Sequence, residues 1–435
     1  LVIYPEHVSQ RQKMFGTPSQ DLLRNQIAGI PIPQIAAAVE TPFYVYDEKK
    51  ILERIEDLKA FDVVRYAQKA CSNLAILDIC RRNGALVDAV SAGEILRAES
   101  VGFSASGDPP PIVYTADIFD QAALELVLDR GIHTNCGSPD MLTQLGQKAP
   151  GQSITLRINP GFGHGHSQKT NTGGAQSKHG IWHHELTGCL RIAQQYELQV
   201  TGLHMHIGSG TDLEHLAQVV TAMEQAAQQV GSSLTTISAG GGLPIPYQAE
   251  ESYVDLKAYF QLWDAARGRL EDQFGHSLRL EIEPGRYLVA EAGYLIAEIR
   301  AIKKMGENWF YLLDAGFNDL ARPILYGSHH PMTICRRDQA ESTALREVIV
   351  GGPLCESGDI FTQEEGGFVC TRSLPEAKLG DLLIIECAGA YGAVMGSNYN
   401  SKPLAAELLI RDGQVHTIRA RQTFAQMVAT ESIPD

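Results

Sequence analysis

From residue 63 to about residue 290, short apolar runs end in polar residues and are followed by helical stretches. The runs lie at 63–67, 86–89, 112–114, 132–135, 155–158, 202–206, 236–238 and 279–282. Runs this short, bounded by polar residues, read as buried strands. Helical stretches lie between them, at 117–130 closed by Gly131, and at 184–196, 212–230 and 253–274. Ser138-Pro139 opens another, with an N-cap serine and a proline at the first helical position. Eight β/α units in about 240 residues predict a TIM (β/α)8 barrel. An open doubly wound sheet is the alternative, and the absence of Gly-x-Gly-x-x-Gly after the first strand disfavours it.

The flanks follow other rules. Residues 1–38 are mixed and read as an N-terminal extension, helical around 21–27. Residues 41–46 are β-rich and begin at a proline, and Asp47 is placed to cap a helix over 48–59. Beyond residue 290 the period changes. Leu295, Ala297, Ile299 and Ala301 alternate with Glu298 and Arg300, and strands at 309–314, 347–350 and 381–387 are parted by Gly and Pro turns. The expected division is an extension at 1–38, a barrel at 48–290, and a β-sandwich or β-barrel-like domain at 291–435. That domain also takes the strand in 39–47, which has no helical partner of its own.

The chain of 435 residues is 44% hydrophobic and 20% charged, as expected of a soluble globular protein with two or three domains. A net charge of -15 argues against a general nucleic-acid binder. Eight scattered cysteines without a Cys-x-x-Cys pair make structural zinc or a redox motif unexpected and suit a reducing cytosol. No signal-like N-terminus and no apolar run of spanning length is visible, so a cytoplasmic protein without a membrane partner is expected.

In such a barrel, chemistry sits just after the strands. Those positions hold Lys69, Ser91 with Glu94, Asn135, Asn159, His206 with Ser209, Gly240, Gly241 and Gly242, and Glu283 with Arg286. Polar loops explain Ser and Asn, but explain poorly a lysine, a histidine, a glycine triplet and Glu-Pro-Gly-Arg on one rim. A lysine at the mouth of a buried strand can lose hydration, which frees its amine for covalent chemistry. Three glycines after the seventh strand let backbone N–H groups approach an anion, and Gly285 and Arg286 complete such a site. A rim lysine with a phosphate site suggests pyridoxal 5′-phosphate. Glu283 would then face the pyridine nitrogen and strengthen the ring as an electron sink, and His206 could stack on the ring face.

Seven blocks, in order, carry a resemblance. They are Arg65-Tyr66-Ala67-Gln68-Lys69-Ala70, Val90-Ser91-Ala92-Gly93-Glu94, Ser177-Lys178-His179-Gly180-Ile181, His204-Met205-His206-Ile207-Gly208-Ser209, Glu283-Pro284-Gly285-Arg286, Cys355-Glu356-Ser357-Gly358-Asp359 and Gly389-Ala390-Tyr391-Gly392. From about Thr41 onward the sequence resembles the diaminopimelate decarboxylases, of the alanine-racemase-like barrel class of pyridoxal enzymes. The resemblance implies that Lys69 holds the cofactor covalently and His206 stacks on it. It implies that Ser209, Gly240, Gly241, Gly242, Gly285, Arg286 and Tyr391 surround its phosphate, and that Glu283 pairs with the ring nitrogen. Arg286, Arg322, Tyr326 and Tyr391 would meet the substrate, with the arginines on its distal carboxylate and Glu356 on its distal amine. Cys355 would donate the proton. In the family Cys355 and Glu356 come from a partner subunit, which implies a homodimer with shared sites.

The expected reaction is decarboxylation of meso-2,6-diaminopimelate to L-lysine. Rivals are decarboxylation of ornithine, arginine or lysine, an amino-acid racemase, an inactive regulatory homologue, and a cofactor carrier made of the barrel alone. A racemase should oppose a cation, not Glu283, to the ring nitrogen. Residues 161–174, rich in glycine and polar residues, read as a lid that excludes water. His164, His166, His179, His183 and His184 lack carboxylate partners at ligand spacing, so no metal is expected.

Overall fold

The computed structural model describes residues 22–163, 172–208, 213–338 and 344–434. It divides into two compact units. Among the described residues, one unit comprises those of 51–244 and 254–288, and the other those of 22–50, 245–253 and 289–434.

The first unit is the barrel. Its eight strands are Val63–Ala67, Leu86–Ala89, Ile112–Ala116, His133–Cys136, Ser153–Asn159, Gln199–Met205, Thr236–Ser238 and Arg279–Ile282. Each pairs in parallel with the next, and the eighth closes on the first through Glu281↔Val63 and Ile282↔Val64. Ile181–Trp182 is a short ninth strand laid beside the fifth. Nearly every barrel-strand residue is buried, as expected of a parallel sheet covered on both faces.

Local chemistry sets the helix ends. Ser138 accepts from the Met141 N–H, Asp120 from Ala123 and Asp255 from Lys257 and Ala258. Gly131 and Gly275 close their helices at φ 63° and 79°, where only glycine is unstrained. The helix expected over 117–130 starts later, at Gln121, because Asp120 takes the cap. Asp117 is thereby released for other bonds.

In the second unit a 13-residue strand, Gly293–Met305, is the spine. It pairs antiparallel with Phe43–Asp47, Asn308–Leu313 and Leu382–Ile385. Phe43–Asp47 in turn pairs in parallel with Ala406–Arg411, so the N-terminal strand does join the β fold. The helix after it, Glu48–Glu56, is shorter than expected.

One expectation fails here. No helix forms over the described part of 21–27. Leu23 bridges Ile334, and Gln26–Ile27 pairs antiparallel with Ile30–Pro31 across a turn with Ala28 and Gly29 at positive φ. The helix comes later, at Ile32–Ala38, with proline in its first turn. Side-chain burial decides this, because Ile27, Ile30, Ile32 and Ile35 all join the core with Phe43, Val45, Ile296, Ile384 and Leu408. The spacing of those isoleucines fits a hairpin followed by a helix.

Candidate active site

The C-terminal rim of the barrel unit carries the predicted groups. Lys69 sits in a single 3-10 turn, Gln68–Ala70, that continues the first strand. Gln68 and Ala70 are buried while Lys69 is exposed. The expected dehydration of its amine by the fold is therefore not found. What surrounds Lys69 instead is charge, because it influences Asp88, Glu94, Glu283 and His206.

Glu283 follows the eighth strand and is buried. Its Oε2 lies 2.7 Å from His204 Nε2, and Ser238 Oγ is 3.5 Å from Oε1. Burial alone would raise this carboxyl. His204, Arg65 and Lys69 outweigh it and hold Glu283 down to about 2, a carboxylate at any working pH. Burial, with Arg157 and Lys69 close by, keeps His206 well below its ordinary range. The His206 imidazole is therefore neutral, and its buried Nδ1 has no hydrogen-bond partner among the described residues.

The glycine triplet is wedged between the ends of the sixth and eighth strands. The Glu283 N–H donates to Gly240 O at 2.8 Å, and the Gly240 N–H to Ser238 Oγ at 3.2 Å. A Cβ would lie 2.2 Å from Met205 O at Gly240, 2.6 Å from Glu283 O at Gly241 and 2.3 Å from Gly208 O at Gly242. Gly240 and Gly242 also have φ of 62° and 101°. The turn accepts only glycine, and it leaves backbone rather than side chain at the rim. Gly285 packs on Ala67 and Ala70, and buried Arg286 starts the next short helix. Ser209 lies outside the described residues.

Several buried polar groups on the barrel strands are not nominated by residue type and position alone. In register across the barrel stand Arg157, His204, Ser238 and Glu281, all buried, where barrel layers are usually aliphatic. His204 is two residues before His206, so strand alternation already puts both on one face. Asp88, on the second strand, is buried with Oδ1 unbonded among the described residues. Burial and Glu283 push it up to about 7, against the pull of Lys69 and Thr115.

Other rim residues prove structural. Ser91 caps the helix Ala92–Ser100 by accepting from the Glu94 N–H, while the Glu94 carboxylate accepts from the Val90 N–H. Asn135 donates to Thr115. Asn159 accepts from Gly161 and Gly174 and donates to the carbonyls of Gly174 and His179, clamping the base of the 161–174 loop. Residues 164–171 of that loop, with His164 and His166, lie outside the described residues. His179 bonds Asp117 at 2.7 Å. Among the described residues no three His, Cys, Asp or Glu side chains are grouped to hold a metal.

The β unit holds the remaining predicted groups. Arg322 is buried; its Nη1 meets Tyr247 Oη at 3.2 Å and His330 Nε2 at 2.9 Å, and its Nη2 meets Ser328 Oγ at 3.3 Å. Its guanidinium lies 5.1 Å from the centre of the Tyr247 ring. Asp319 accepts from the Gly316 N–H and feels Arg421 and Lys402. Tyr326 ends the same short helix and is half-buried. Cys355 and Glu356 are exposed, with the Cys355 N–H bonded to Asn400. Tyr391 sits at φ 56°, beside a Gly392 whose Cβ would strike Ala388 O.

A rim lysine, a glycine cradle with no room for side chains, a neutral histidine with an orphaned buried nitrogen and a buried carboxylate fit pyridoxal phosphate. They define a pyridoxal enzyme of the barrel class. The family model of the pyridoxal-dependent decarboxylase, pyridoxal binding domain, matches residues 48–290. The diaminopimelate decarboxylase of Escherichia coli K12 is 53% identical over 420 residues, 96% of this chain and 99% of that one. A crystal structure of diaminopimelate decarboxylase superposes with TM-score 0.91 at 51% identity, covering 94% of this chain and 99% of that one. The Helicobacter pylori enzyme complexed with L-lysine gives 0.82 at 30% identity, covering 91% and 98%. The chain belongs to the diaminopimelate decarboxylase family.

Proposed function

We propose how the residues of this chain divide the work of one reaction. The enzyme is a pyridoxal-dependent carboxy-lyase that converts meso-2,6-diaminopimelate to L-lysine and carbon dioxide, the last step of lysine biosynthesis. When bound, pyridoxal 5′-phosphate takes up the electron pair left as the carboxylate departs.

Lys69 is the covalent anchor. Gly240, Gly241 and Gly242, with Gly285, Arg286, Tyr391 and Ser209, receive the phosphate. His206 would stack on the ring face, where its neutral imidazole adds no charge. Glu283, held as an anion, would pair with the ring nitrogen. Arg322 and Tyr326, which belong to the β unit, and Arg286, which belongs to the barrel unit, would hold the distal carboxylate, and Glu356 the distal amine. Cys355 gives the proton that replaces carbon dioxide, so one proton enters for each carbon dioxide released. Cys355 and Glu356 serve the partner's site in a homodimer. We place the enzyme in the cytoplasm, a reading supported by its eight free cysteines.

The observation that carries the reading is Glu283, a buried carboxylate held ionised beside the rim lysine and the glycine cradle. A racemase would need a cation there. The test measures carbon dioxide release from meso-diaminopimelate, L-ornithine, L-arginine and L-lysine. Release from meso-diaminopimelate should dominate, and a preference for ornithine would overturn the substrate. For the shared site, Lys69→Ala and Cys355→Ala should each be nearly inactive and regain activity when mixed. No recovery after proven subunit exchange would place Cys355 in its own subunit's site or outside the chemistry.

A further inference from the structure

Glu283 can serve a ring nitrogen only if it stays ionised and keeps one oxygen turned the right way. Something in the fold must impose both. Ser238 sits at the 3.5 Å limit of hydrogen bonding and imposes little. Arg65 favours the ionised carboxyl through its charge, but its hydrogen bonds go to Glu281 and Pro110 O, so it does not orient Glu283. His204 is the short contact, at 2.7 Å, with a side chain 1% exposed.

The direction of that bond follows from charge. An ionised carboxylate has no proton to give, so His204 Nε2 carries the hydrogen and donates it. The geometry is imposed by the strand, since His204 is fixed in register between Arg157 and Ser238 on the neighbouring strands. The bond occupies one lone pair of Oε2 and restrains the rotation of the carboxylate. The other lone pairs remain to accept from a partner.

We propose that His204 is a positioning residue for Glu283, orienting its carboxylate and holding it unprotonated so that the ring nitrogen of the cofactor stays protonated. This rests on the assignment of Glu283 to the ring nitrogen. His204 acts through Glu283 and need not touch cofactor or substrate.

The bond has a specific reach, which separates positioning from mere packing. His204→Gln can place an amide N–H near the position of Nε2. His204→Asn keeps a polar amide but ends its donor one bond short, and His204→Leu has no donor. The experiment uses the holoenzyme reconstituted with cofactor carrying 15N at the ring nitrogen, and reads that nitrogen's chemical shift without substrate. Wild type and His204→Gln should show a protonated ring nitrogen. Asn and Leu should move the shift toward the unprotonated position. They should also lower kcat at least about tenfold with KM little changed, the scale of one charge-assisted hydrogen bond.

An unprotonated ring nitrogen in the wild type would overturn the Glu283 assignment and this inference with it. A protonated wild type whose shift is the same in Gln, Asn and Leu would overturn the role of His204 alone. If Leu fails to fold, the contrast of Gln with Asn still decides, and equal shifts in those two refute the proposal.

Discussion

Arg65 and Glu281 form a buried ion pair across the seam where the first and eighth barrel strands meet, with both Nε and Nη2 of the arginine within 3.2 Å of the carboxylate. The Arg65 side chain is 1% exposed and that of Glu281 8%. Removing one partner leaves the other charge buried and uncompensated, which costs more than the pair contributes. Arg65→Met should lose about 3–5 kcal/mol of stability. The double variant Arg65→Met, Glu281→Leu should recover much of that loss. Denaturant unfolding of wild type, Arg65→Met, Glu281→Leu and the double variant checks it, and additive losses would refute it.

Lys69 should be the covalent anchor. The purified protein should be yellow, and borohydride should fix the cofactor to one lysine. Mass spectrometry should place the adduct on Lys69. An adduct on Lys178 or Lys257 instead would sink the assignment.

Gly241 is the position of the cradle that bears directly on Glu283, since a Cβ there would lie 2.6 Å from Glu283 O. Gly241→Ala should push the triplet and Glu283 apart. The cofactor affinity should fall at least about tenfold, or 1.4 kcal/mol, while the barrel stays folded. Titration of the apoprotein followed by absorbance measures it. Unchanged affinity would show that the cradle does not contact the phosphate.

Arg322 should read the distal carboxylate. Its guanidinium is aligned by Tyr247, His330 and Ser328, all of which can bond it without a negative charge. Arg322→Ala should lower kcat/KM for meso-diaminopimelate at least about a hundredfold, roughly 3 kcal/mol, as loss of a charge-assisted pair requires. Bound cofactor should persist. Normal kinetics would make Arg322 a structural residue.

Asp319 should make stability depend on pH. Burial raises its carboxyl to about 7, against the Gly316 N–H and nearby Arg421. The folded state therefore binds the proton more tightly than the unfolded chain does. The stability it contributes is complete below the unfolded value of about 4 and is lost as pH rises to about 7. Asp319→Asn keeps an acceptor for Gly316 and removes the titration. Its stability relative to wild type should rise between pH 4 and pH 7, by up to about 4 kcal/mol, and then level off. Unfolding midpoints that stay parallel across that range would contradict this.

The sequence by itself determined the barrel. Eight apolar runs with helices between them leave few other ways to bury both faces of a parallel sheet, and every run became a strand. Residue type and position after a strand were enough to nominate Lys69, Glu283 and the glycine triplet. The glycine reading needed only that backbone approach something closely, and the tight contacts of Gly240 and Gly242 fit that.

Tertiary structure alone decided how the nominated residues are tuned. Whether a rim lysine is dehydrated depends on what packs around it, and Lys69 turned out exposed. The ionisation of Glu283 depends on Arg65 and His204, 218 and 79 positions away by residue number, which no local pattern can bring together. His204 and Asp88 lie within runs that read as strands, and the burial of such polar groups makes sense only once their partners are placed. The N-terminal segment was misread for the same reason. Ile27 to Ile35 fit more than one periodicity, and the sheet that buries those isoleucines is built largely from residues beyond 290.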